Sequence, residues 1–255
     1  MKTILLISCL VSFFILSAGQ DPEEVIERYS NGKVRAEGWV LNGLKTGPWL
    51  FDYPLGVKKE EGVFRQGLKS GEWIGYYDNA SVKYHYHFKE GKEHGWCKEF
   101  SPEFIILSMG VYAEGRKSGY WQTFYPDGSK KSDAYYEEGR LEKTWTSYYS
   151  FGQIEWQGDY KNGSKEGRWT HYDPEGRVLS EGTFHADERS GWWIQRDMDA
   201  HLIYEGDFEQ GKKNGYFIHY QNGKKQSDGF YSKGVRTGNW RLYDEQGKLK
   251  KIIEY

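Results

Sequence analysis

Glycine recurs along this chain at a nearly constant spacing, and that spacing constrains the fold more than any other feature. A glycine stands two residues before Val40, Phe64, Tyr112 and further large side chains, at intervals of 24, 48, 48, 24, 24 and 23 residues. The double intervals each contain one substituted copy, so the chain has nine units. Their first positions are Gly38, Gly62, Tyr86, Gly110, Ala134, Gly158, Gly182, Gly206 and Gly229. Such self-similarity is the signature of a repeat protein.

Aromatic residues follow the same period as the glycines. Further glycines stand five and nine residues after the first position in eight of the nine units. The eleventh residue after it is tryptophan in seven units, and we call this set the tryptophan column. Its members are Trp49, Trp73, Cys97, Trp121, Trp145, Trp169, Trp193, Phe217 and Trp240. In most units another aromatic residue follows three positions later, and we call this set the tyrosine column. Its members are Tyr76, Phe100, Phe124, Tyr148, Tyr172, Tyr220 and Tyr243.

Turn sequences divide each unit into two strands. The two glycines four apart, with a cation between them as in Gly67–Gly71, predict a tight turn in which positive φ costs little. Asp127-Gly128 predicts the second turn of a unit. The stretches between the turns have strand length. We therefore expect an all-β fold, an elongated array of antiparallel β-hairpins with about nine repeats of about 24 residues and about 18 strands.

The aromatic positions also predict where the core lies. Trp169 and Tyr172 point to opposite faces of a regular strand, so either a bulge brings them together or both faces carry rings. We expect the tryptophan column to form the core, with its rings against the bare backbone of first-position glycines. Part of the tyrosine column is expected to be exposed.

The N-terminal residues are typical of a secretory signal peptide. One lysine, an apolar run and the small residues Ser17, Ala18 and Gly19 occur in this order. We predict a cleaved signal at 1–19, a lead with a partial repeat at 20–36, and the repeat array at 37–255. A periplasmic or secreted bacterial protein is the expected result. Cys97 is then the last cysteine, too few for an internal disulfide.

Charge, hydropathy and motifs exclude several classes of function. The formal net charge of -2 argues against a nucleic-acid-binding protein, which usually has an excess of basic residues. The mean hydropathy of -0.85 argues against a membrane-spanning mature chain. Catalytic and cofactor-binding motifs are absent from the sequence, so we expect no enzyme and no cofactor. His85 and His87 share a face as residues i and i+2 of a strand, but ordinary surface imidazoles are favoured over a metal pair, and no metal site is predicted.

Two surface features are candidates for binding. The first is the apolar run with Phe104, Ile105 and Ile106, where other units have a turn and a polar strand start. Together with three tyrosines it is the expected interaction surface, although burial of the run through sequence drift is the favoured alternative. These tyrosines are Tyr77, Tyr125 and Tyr149.

The second feature is a row of cations between the paired glycines. It suits an anionic surface, but solvated turns that protect strand edges are favoured, because acidic residues nearly balance its charge. We call this row the cation column. Its members are Lys45, Lys69, Lys117, Lys165, Arg189, Lys213 and Arg236.

The repeated motif resembles a known family. Residues 204–216, YEGDFEQGKKNGY, resemble a MORN repeat, with the pattern aromatic-x-Gly-x-aromatic-x-x-Gly-x-x-x-Gly. Most units continue with x-Trp, as in Gly119-Tyr120-Trp121, which is similar to the bacterial MORN-repeat variant family. The resemblance covers roughly residues 29–255. It implies a β-hairpin interaction or scaffold module, with protein or lipid partners, and some members are antitoxins of toxin–antitoxin pairs.

These observations predict an exported, non-enzymatic binding or scaffold protein that binds a protein partner at the cell envelope. A carbohydrate- or lipid-binding module that uses exposed tyrosine and tryptophan is the first alternative. A cytoplasmic antitoxin is the second, and the signal peptide disfavours it. The partner and the oligomeric state are not predicted.

Overall fold

A computed structural model describes residues 21–255, so the predicted signal peptide lies outside the described residues. These residues form 21 strands in one sheet. The strands are β1 (Glu23–Arg28), β2 (Val34–Leu41), β3 (Leu44–Asp52), β4 (Lys58–Arg65), β5 (Leu68–Tyr76), β6 (Val82–Lys89), β7 (Lys92–Glu93), β8 (Gly95–Phe100), β9 (Ile106–Ala113), β10 (Arg116–Phe124), β11 (Lys130–Glu137), β12 (Arg140–Tyr148), β13 (Ile154–Lys161), β14 (Ser164–Tyr172), β15 (Val178–His185), β16 (Glu188–Arg196), β17 (Leu202–Glu209), β18 (Lys212–Gln221), β19 (Lys224–Ser232), β20 (Val235–Tyr243) and β21 (Leu249–Glu254).

The strands follow one another as an antiparallel meander. Each pairs with its neighbours in sequence, and β6 pairs with both β7 and β8, which are two parts of one interrupted strand. The predicted all-β hairpin array is confirmed. The count exceeds 18 because β1 precedes the first unit, β21 follows the ninth, and the strand of the third unit is split.

The paired glycines have two different structural roles. The tight turn of the first unit consists of Asn42 and Gly43, whose φ values of 51° and 77° are both positive, as a two-residue hairpin loop of this twist requires. Gly47 also has a positive φ of 65°, but it lies inside β3, where the pairing with β2 shifts register. The prediction that both glycines form the turn is therefore wrong. The second glycine marks a bulge, which bends the strand.

In every unit but the eighth, the second turn is a wider loop closed by backbone hydrogen bonds. In the eighth unit Asn222 and Gly223 form a two-residue turn instead. In the fourth unit, Tyr125 N donates to Ser129 O at 2.8 Å and Gly128 N donates to Tyr125 O at 2.9 Å. The Asp127 carboxylate accepts a further bond from Ser129 N at 2.8 Å. Side chain and backbone together hold the turn, and the same backbone pattern recurs from Tyr29 to Asp244.

The core is a single row of rings on one face of the sheet, which we call the ring face. A Cβ placed on Gly158 would lie 2.2 Å from Cδ2 of Trp169, and the equivalent distance from Gly182 to Trp193 is also 2.2 Å. A side chain larger than hydrogen therefore does not fit beneath the indole. Trp49, Trp73, Trp169, Trp193 and Trp240 are buried to 1% exposure or less. The tryptophan column therefore forms the core, as the sequence predicts.

The residues two positions after each first position, aromatic in eight of the nine units, complete this core. Phe184 meets Trp169 and Trp193 edge to face, with ring centroids 5.9 Å and 5.0 Å away. Alternate rings from neighbouring strands thus form a continuous stack, a geometry that aromatic pairs prefer. Stability therefore comes from contacts between sequence neighbours. Among residues 21–255 there is no helix with the length and hydropathy needed to cross a membrane.

Candidate interaction surface

The cation column lies over the rings of the core. Lys69 Nζ is 3.9 Å from the ring centroid of Trp73, and the Arg236 guanidinium is 4.3 Å from that of Trp240. The same contact occurs at Lys45, Lys117, Lys165 and Arg189, at 4.0 to 4.4 Å. Each such contact is worth about 0.5–1 kcal/mol at an exposed site. The cations therefore cover the core instead of extending from solvated turns.

Two of these cations are held in a partly dehydrated environment. Burial lowers the pKa of Lys165, and burial together with the nearby Arg236 lowers that of Lys213. Both shifts reflect the cost of removing an ammonium from water. Because the cations are engaged by rings, the ring face has less free positive charge than the sequence implies.

The opposite side of the sheet, which we call the outer face, carries large exposed apolar side chains. First-position glycines and the tryptophan column lie on the ring face. The residues directly before or after them in a strand therefore point to the outer face, because successive side chains alternate. Trp96 is 64% exposed and Tyr120 is 74% exposed. Trp39, Trp192 and Phe230 at equivalent positions are between 41% and 54% exposed. These five residues form the outer aromatic row.

Neighbouring strands extend this row across the sheet. Trp96 pairs with Val111, and Tyr120 pairs with Tyr135, with ring centroids 5.0 Å apart. In the eighth and ninth units Tyr216 lies 5.3 Å from Phe230. The outer face thus presents apolar patches in register with the repeat, whereas the equally large tryptophans of the ring face are buried.

Acidic residues and tyrosines alternate with this row. The Tyr148 hydroxyl donates to Asp133 Oδ2 at 2.7 Å, and Lys130 Nζ binds the same oxygen at 3.1 Å. Burial and the bond to Asp133 raise the pKa of Tyr148 to about 12. Tyr76 donates equivalently to Glu61, which Lys58 also binds. The tyrosine column therefore lies on the outer face, so both faces of the sheet carry rings.

The predicted surface tyrosines lie along the edge formed by the second turns. The Tyr77 hydroxyl donates to Phe100 O at 2.8 Å, while Tyr125 and Tyr149 make the same bond to Tyr148 O and Tyr172 O. Each hydroxyl therefore reaches the next unit along the chain. All three side chains are half-buried, and their polar ends hold neighbouring turns together.

The apolar run of the third unit lies at the same edge. Phe104 is 62% exposed and stacks on Phe100 with ring centroids 4.8 Å apart. Ile105 and Ile106 are half-buried. The run is thus neither a fully exposed patch nor part of the buried core. Tyr77 contacts it through the bond to the Phe100 carbonyl, whereas Tyr125 and Tyr149 belong to later turns.

The third unit rearranges the contact between ring and glycine. Tyr86 and Cys97 stand where other units have glycine and tryptophan, and Cys97 is 3% exposed. The ring of Tyr84 instead covers Gly75, where a Cβ would lie 2.2 Å from Tyr84 Cε1. Gly75 is an extra glycine outside the repeat pattern, and that irregularity was the only sequence signal for this exchange.

Burial also determines the chemistry of Cys97. It raises the pKa of the Cys97 thiol to about 11. A thiol with such a pKa is protonated at neutral pH and is a poor nucleophile. Cys97 is therefore a packing residue in this fold.

Comparison with known proteins agrees with these units. Residues 117–138, 165–186 and 236–255 match the family model of the MORN repeat variant. These three stretches are similar to MORN repeat variants. Each matched stretch begins at a member of the cation column, just after a tight turn. It covers the bulge glycine, the tryptophan that follows and the second turn. No curated protein sequence matches this chain significantly.

Two solved structures give weak matches to the repeat array. The TCP10 domain of Danio rerio CPAP, in complex with a peptide of Danio rerio STIL, is 12% identical, with a TM-score of 0.24 over 91% of this chain and 100% of that chain. The Photorhabdus luminescens Tc holotoxin pore is 10% identical, with a TM-score of 0.21 over 88% of this chain and 15% of that chain. At these TM-scores neither match informs the function.

Proposed function

We propose that this protein is an exported, non-enzymatic binding or scaffold protein that recognises a protein partner at the bacterial cell envelope through its outer face. MORN-variant repeats are consistent with a repeat-based binding or scaffold protein. The choice of the outer face rests on one observation, the outer aromatic row. Exposed tryptophan and tyrosine are enriched at the centres of protein interfaces, where they carry much of the binding energy.

The centre of this surface is the patch around Trp96 and Tyr120. These are the two most exposed members of the row, and both face a neighbouring apolar residue across the sheet. Charged groups lie beside the patch, as in the polar rim of an interface: Lys143 Nζ is 3.7 Å from the ring centroid of Tyr135, which adjoins Tyr120. The turn-edge surface with Phe104, Ile105, Ile106 and Tyr77 is on the adjoining edge and forms a second contact for the same partner.

Affinity capture with matched variants tests this proposal. A tagged chain is used to capture binding partners from the native envelope, in parallel with Trp96→Ser/Tyr120→Ser and with the control Leu55→Ser. Leu55 is 77% exposed at a turn, so its replacement removes similar apolar exposure elsewhere. We expect one partner to be retained by the wild type and the control and lost by the double variant. Equal retention by all three chains would refute the assignment to the outer face.

The envelope location is a separate part of the proposal, supported by the signal-like residues 1–19. Fractionation of the native host measures it directly. Recovery of a shortened chain from the periplasm or medium is expected. Recovery of the full-length chain from the cytoplasm would contradict export and would favour the antitoxin alternative.

A carbohydrate- or lipid-binding module is the second candidate, and the exposed rings favour it too. Tryptophan and tyrosine stack on sugar rings or lie at a membrane interface, and the partly exposed cation column suits anionic headgroups. Pull-down on envelope polysaccharide and on anionic vesicles separates this candidate from the first. Binding to neither material would exclude it.

A further inference from the structure

Neighbouring strands of the second and third units place three potential metal ligands together on the outer face. His85 and His87 lie two residues apart on β6 and therefore point to the same side of the sheet. Glu72 on β5 pairs directly with His87. The sequence contains the histidine pair, but only the register of β5 against β6 adds the carboxylate.

The side chains of this group converge. His87 Nε2 is 3.3 Å from Glu72 Oε1, and His85 Nε2 is 3.7 Å from Glu72 Oε2. One ligand atom from each residue lies within 4.8 Å of the other two. Ligand atoms bound to one tetrahedral Zn²⁺ are about 3.3 Å apart, because the bonds are about 2.0–2.1 Å long. A small rotation of the two imidazoles therefore brings all three ligands within reach of one ion.

Both imidazoles also have a ring nitrogen without a partner. His85 Nε2 and His87 Nδ1 are shielded from solvent and have no hydrogen-bond partner among the described residues. Shielding a polar atom without a bond has a free-energy cost, so such atoms generally have a partner. For His85 the unpartnered nitrogen is the one that faces Glu72. A cation held between the three side chains would satisfy it.

The other group of potential ligands in the described part of the chain differs in this respect. Asp197, Asp199 and His201 lie in one second turn. There Asp197 Oδ1 already accepts bonds from Asp199 N at 3.0 Å and from His201 N at 2.9 Å. Its carboxylate closes the turn, as Asp127 does in the fourth unit. This group provides a control for the metal-binding test.

We propose that Glu72, His85 and His87 form a binding site for a divalent transition-metal ion, with Zn²⁺ as the best match. Imidazole nitrogen suits zinc, copper, iron and nickel, and two imidazoles with one carboxylate form a known three-ligand set for Zn²⁺. A water occupies the fourth position of such a site. Lys98, on β8 beside His85, is exposed and can turn its charge away.

Metal titration of the untagged full chain tests the site. Zn²⁺ competition with a chromophoric chelator measures affinity and stoichiometry for the wild type, Glu72→Gln, His85→Asn, His87→Asn and the control His201→Asn. All four positions are at least partly exposed, so the variants are expected to fold, and circular dichroism with tryptophan fluorescence checks this. Loss of one of three ligands is expected to weaken binding at least tenfold, since removal of mere supporting groups already costs 10–100-fold.

The expected result is one ion per chain, with affinity reduced in the Glu72, His85 and His87 variants and unchanged in His201→Asn. Co²⁺ substitution provides a second readout, in which the visible absorption of a low-symmetry site is lost in the same three variants. Saturable binding that survives His85→Asn/His87→Asn within twofold would overturn the proposal. So would the absence of 1:1 binding by the wild type, or an equal loss in His201→Asn.

Discussion

The seventh and third units both place an aromatic ring over a strand glycine, but they use different residues to do so. In the seventh, Trp193 from the later strand lies on Gly182 of the earlier strand. In the third, Tyr84 from the later strand β6 lies on Gly75 of the preceding unit, and the usual positions hold Tyr86 and Cys97. What the sheet requires is a flat ring over a bare backbone once per hairpin. Which strand supplies the ring is free to change.

In the fifth unit the ring does not pack fully against the sheet. Ala134 stands at its first position, and Trp145 is half-buried, whereas six other tryptophans of the column are at most 3% exposed. Those six donate their indole N–H to a backbone carbonyl, as Trp169 does to Asp159 O at 3.1 Å. Among residues 21–255 Trp145 is the column tryptophan without this bond. The raised indole thus coincides with a methyl group at the first position and with Lys143 in place of the bulge glycine.

The largest expected effect comes from breaking the regular contact. Gly182→Ala places a methyl group 2.2 Å from Trp193, which must move out of the core. We expect a loss of about 3 kcal/mol in unfolding free energy, the upper range for overpacking a core. Gly75→Ala should cost the same, because Tyr84 is equally close. Denaturant unfolding followed by tryptophan fluorescence measures both.

Thr183→Ala is the matched control, since Thr183 is the exposed neighbour of Gly182 on the other face. Its effect is expected to stay within about 0.5 kcal/mol. If Gly75→Ala were as mild as this control, the proposed exchange of ring and strand in the third unit would be wrong.

A double-mutant cycle tests whether the third unit can be returned to the regular pattern. Cys97→Trp alone forces an indole against Tyr86 and should destabilise the fold by about 2–3 kcal/mol. Adding Tyr86→Gly opens the space beneath it, so a favourable coupling of about 1–2 kcal/mol is expected. Urea unfolding of the four chains gives the coupling, and strict additivity would show that the two positions do not share the contact.

The stability of the eighth unit should depend on pH through His219. His219 stands two residues after Phe217 of the tryptophan column. Burial, together with the positive charges of Lys213 and Arg236, lowers the pKa of His219 to about 4. The unfolded chain, with a pKa of about 6.5, binds a proton that the folded chain rejects. Stability is therefore full above about pH 6.5 and falls as the pH drops toward 4.

His219→Phe removes this titration and has a precedent in Phe51, which holds the equivalent position of the first unit. At pH 5 the variant should be more stable than wild type by about 1–2 kcal/mol relative to their difference at pH 8. Unfolding curves at the two pH values measure this. A pH-independent difference between the chains would assign the acid sensitivity to other groups.

The smallest effect is expected from repair of the fifth unit. Ala134→Gly lets Trp145 settle on the backbone, but glycine in a strand costs about 0.5–1 kcal/mol of conformational entropy. The net gain should be about 0.5 kcal/mol, together with reduced quenching of tryptophan fluorescence by iodide. Ala134→Ser, which keeps a Cβ, should leave the quenching unchanged.

The repeat and its core were predictable because both depend on local periodicity. Glycine and tryptophan at constant offsets predicted the hairpins, the ring face and the glycine beneath each ring. The role of Gly47 in a bulge was not predictable, because a glycine in a turn and a glycine in a bulge look the same in sequence. The sequence predicts the cation column as a row of turn residues, whereas in the structure its members lie over the rings.

The candidate surfaces show the same limit. Phe104, Ile105 and Ile106 were visible as an apolar interruption, yet the outer aromatic row was not predicted as a set. Trp96 and Tyr120 stand next to the tryptophan column, and only the alternation of side chains in the folded strands separates exposed from buried rings. Likewise, the sequence contains His85 and His87 as a pair, while Glu72 joins them through the register of β5 and β6.

By itself the sequence determined the class of fold, the number of units and the composition of the core, because each follows from a pattern within about 24 residues. Only the tertiary structure decided which rings are buried, which cations cover them, and which ligands meet on the outer face. The physical reason is that these properties depend on pairing between strands. Bulges shift that pairing, and a shift of one residue exchanges the faces of a sheet.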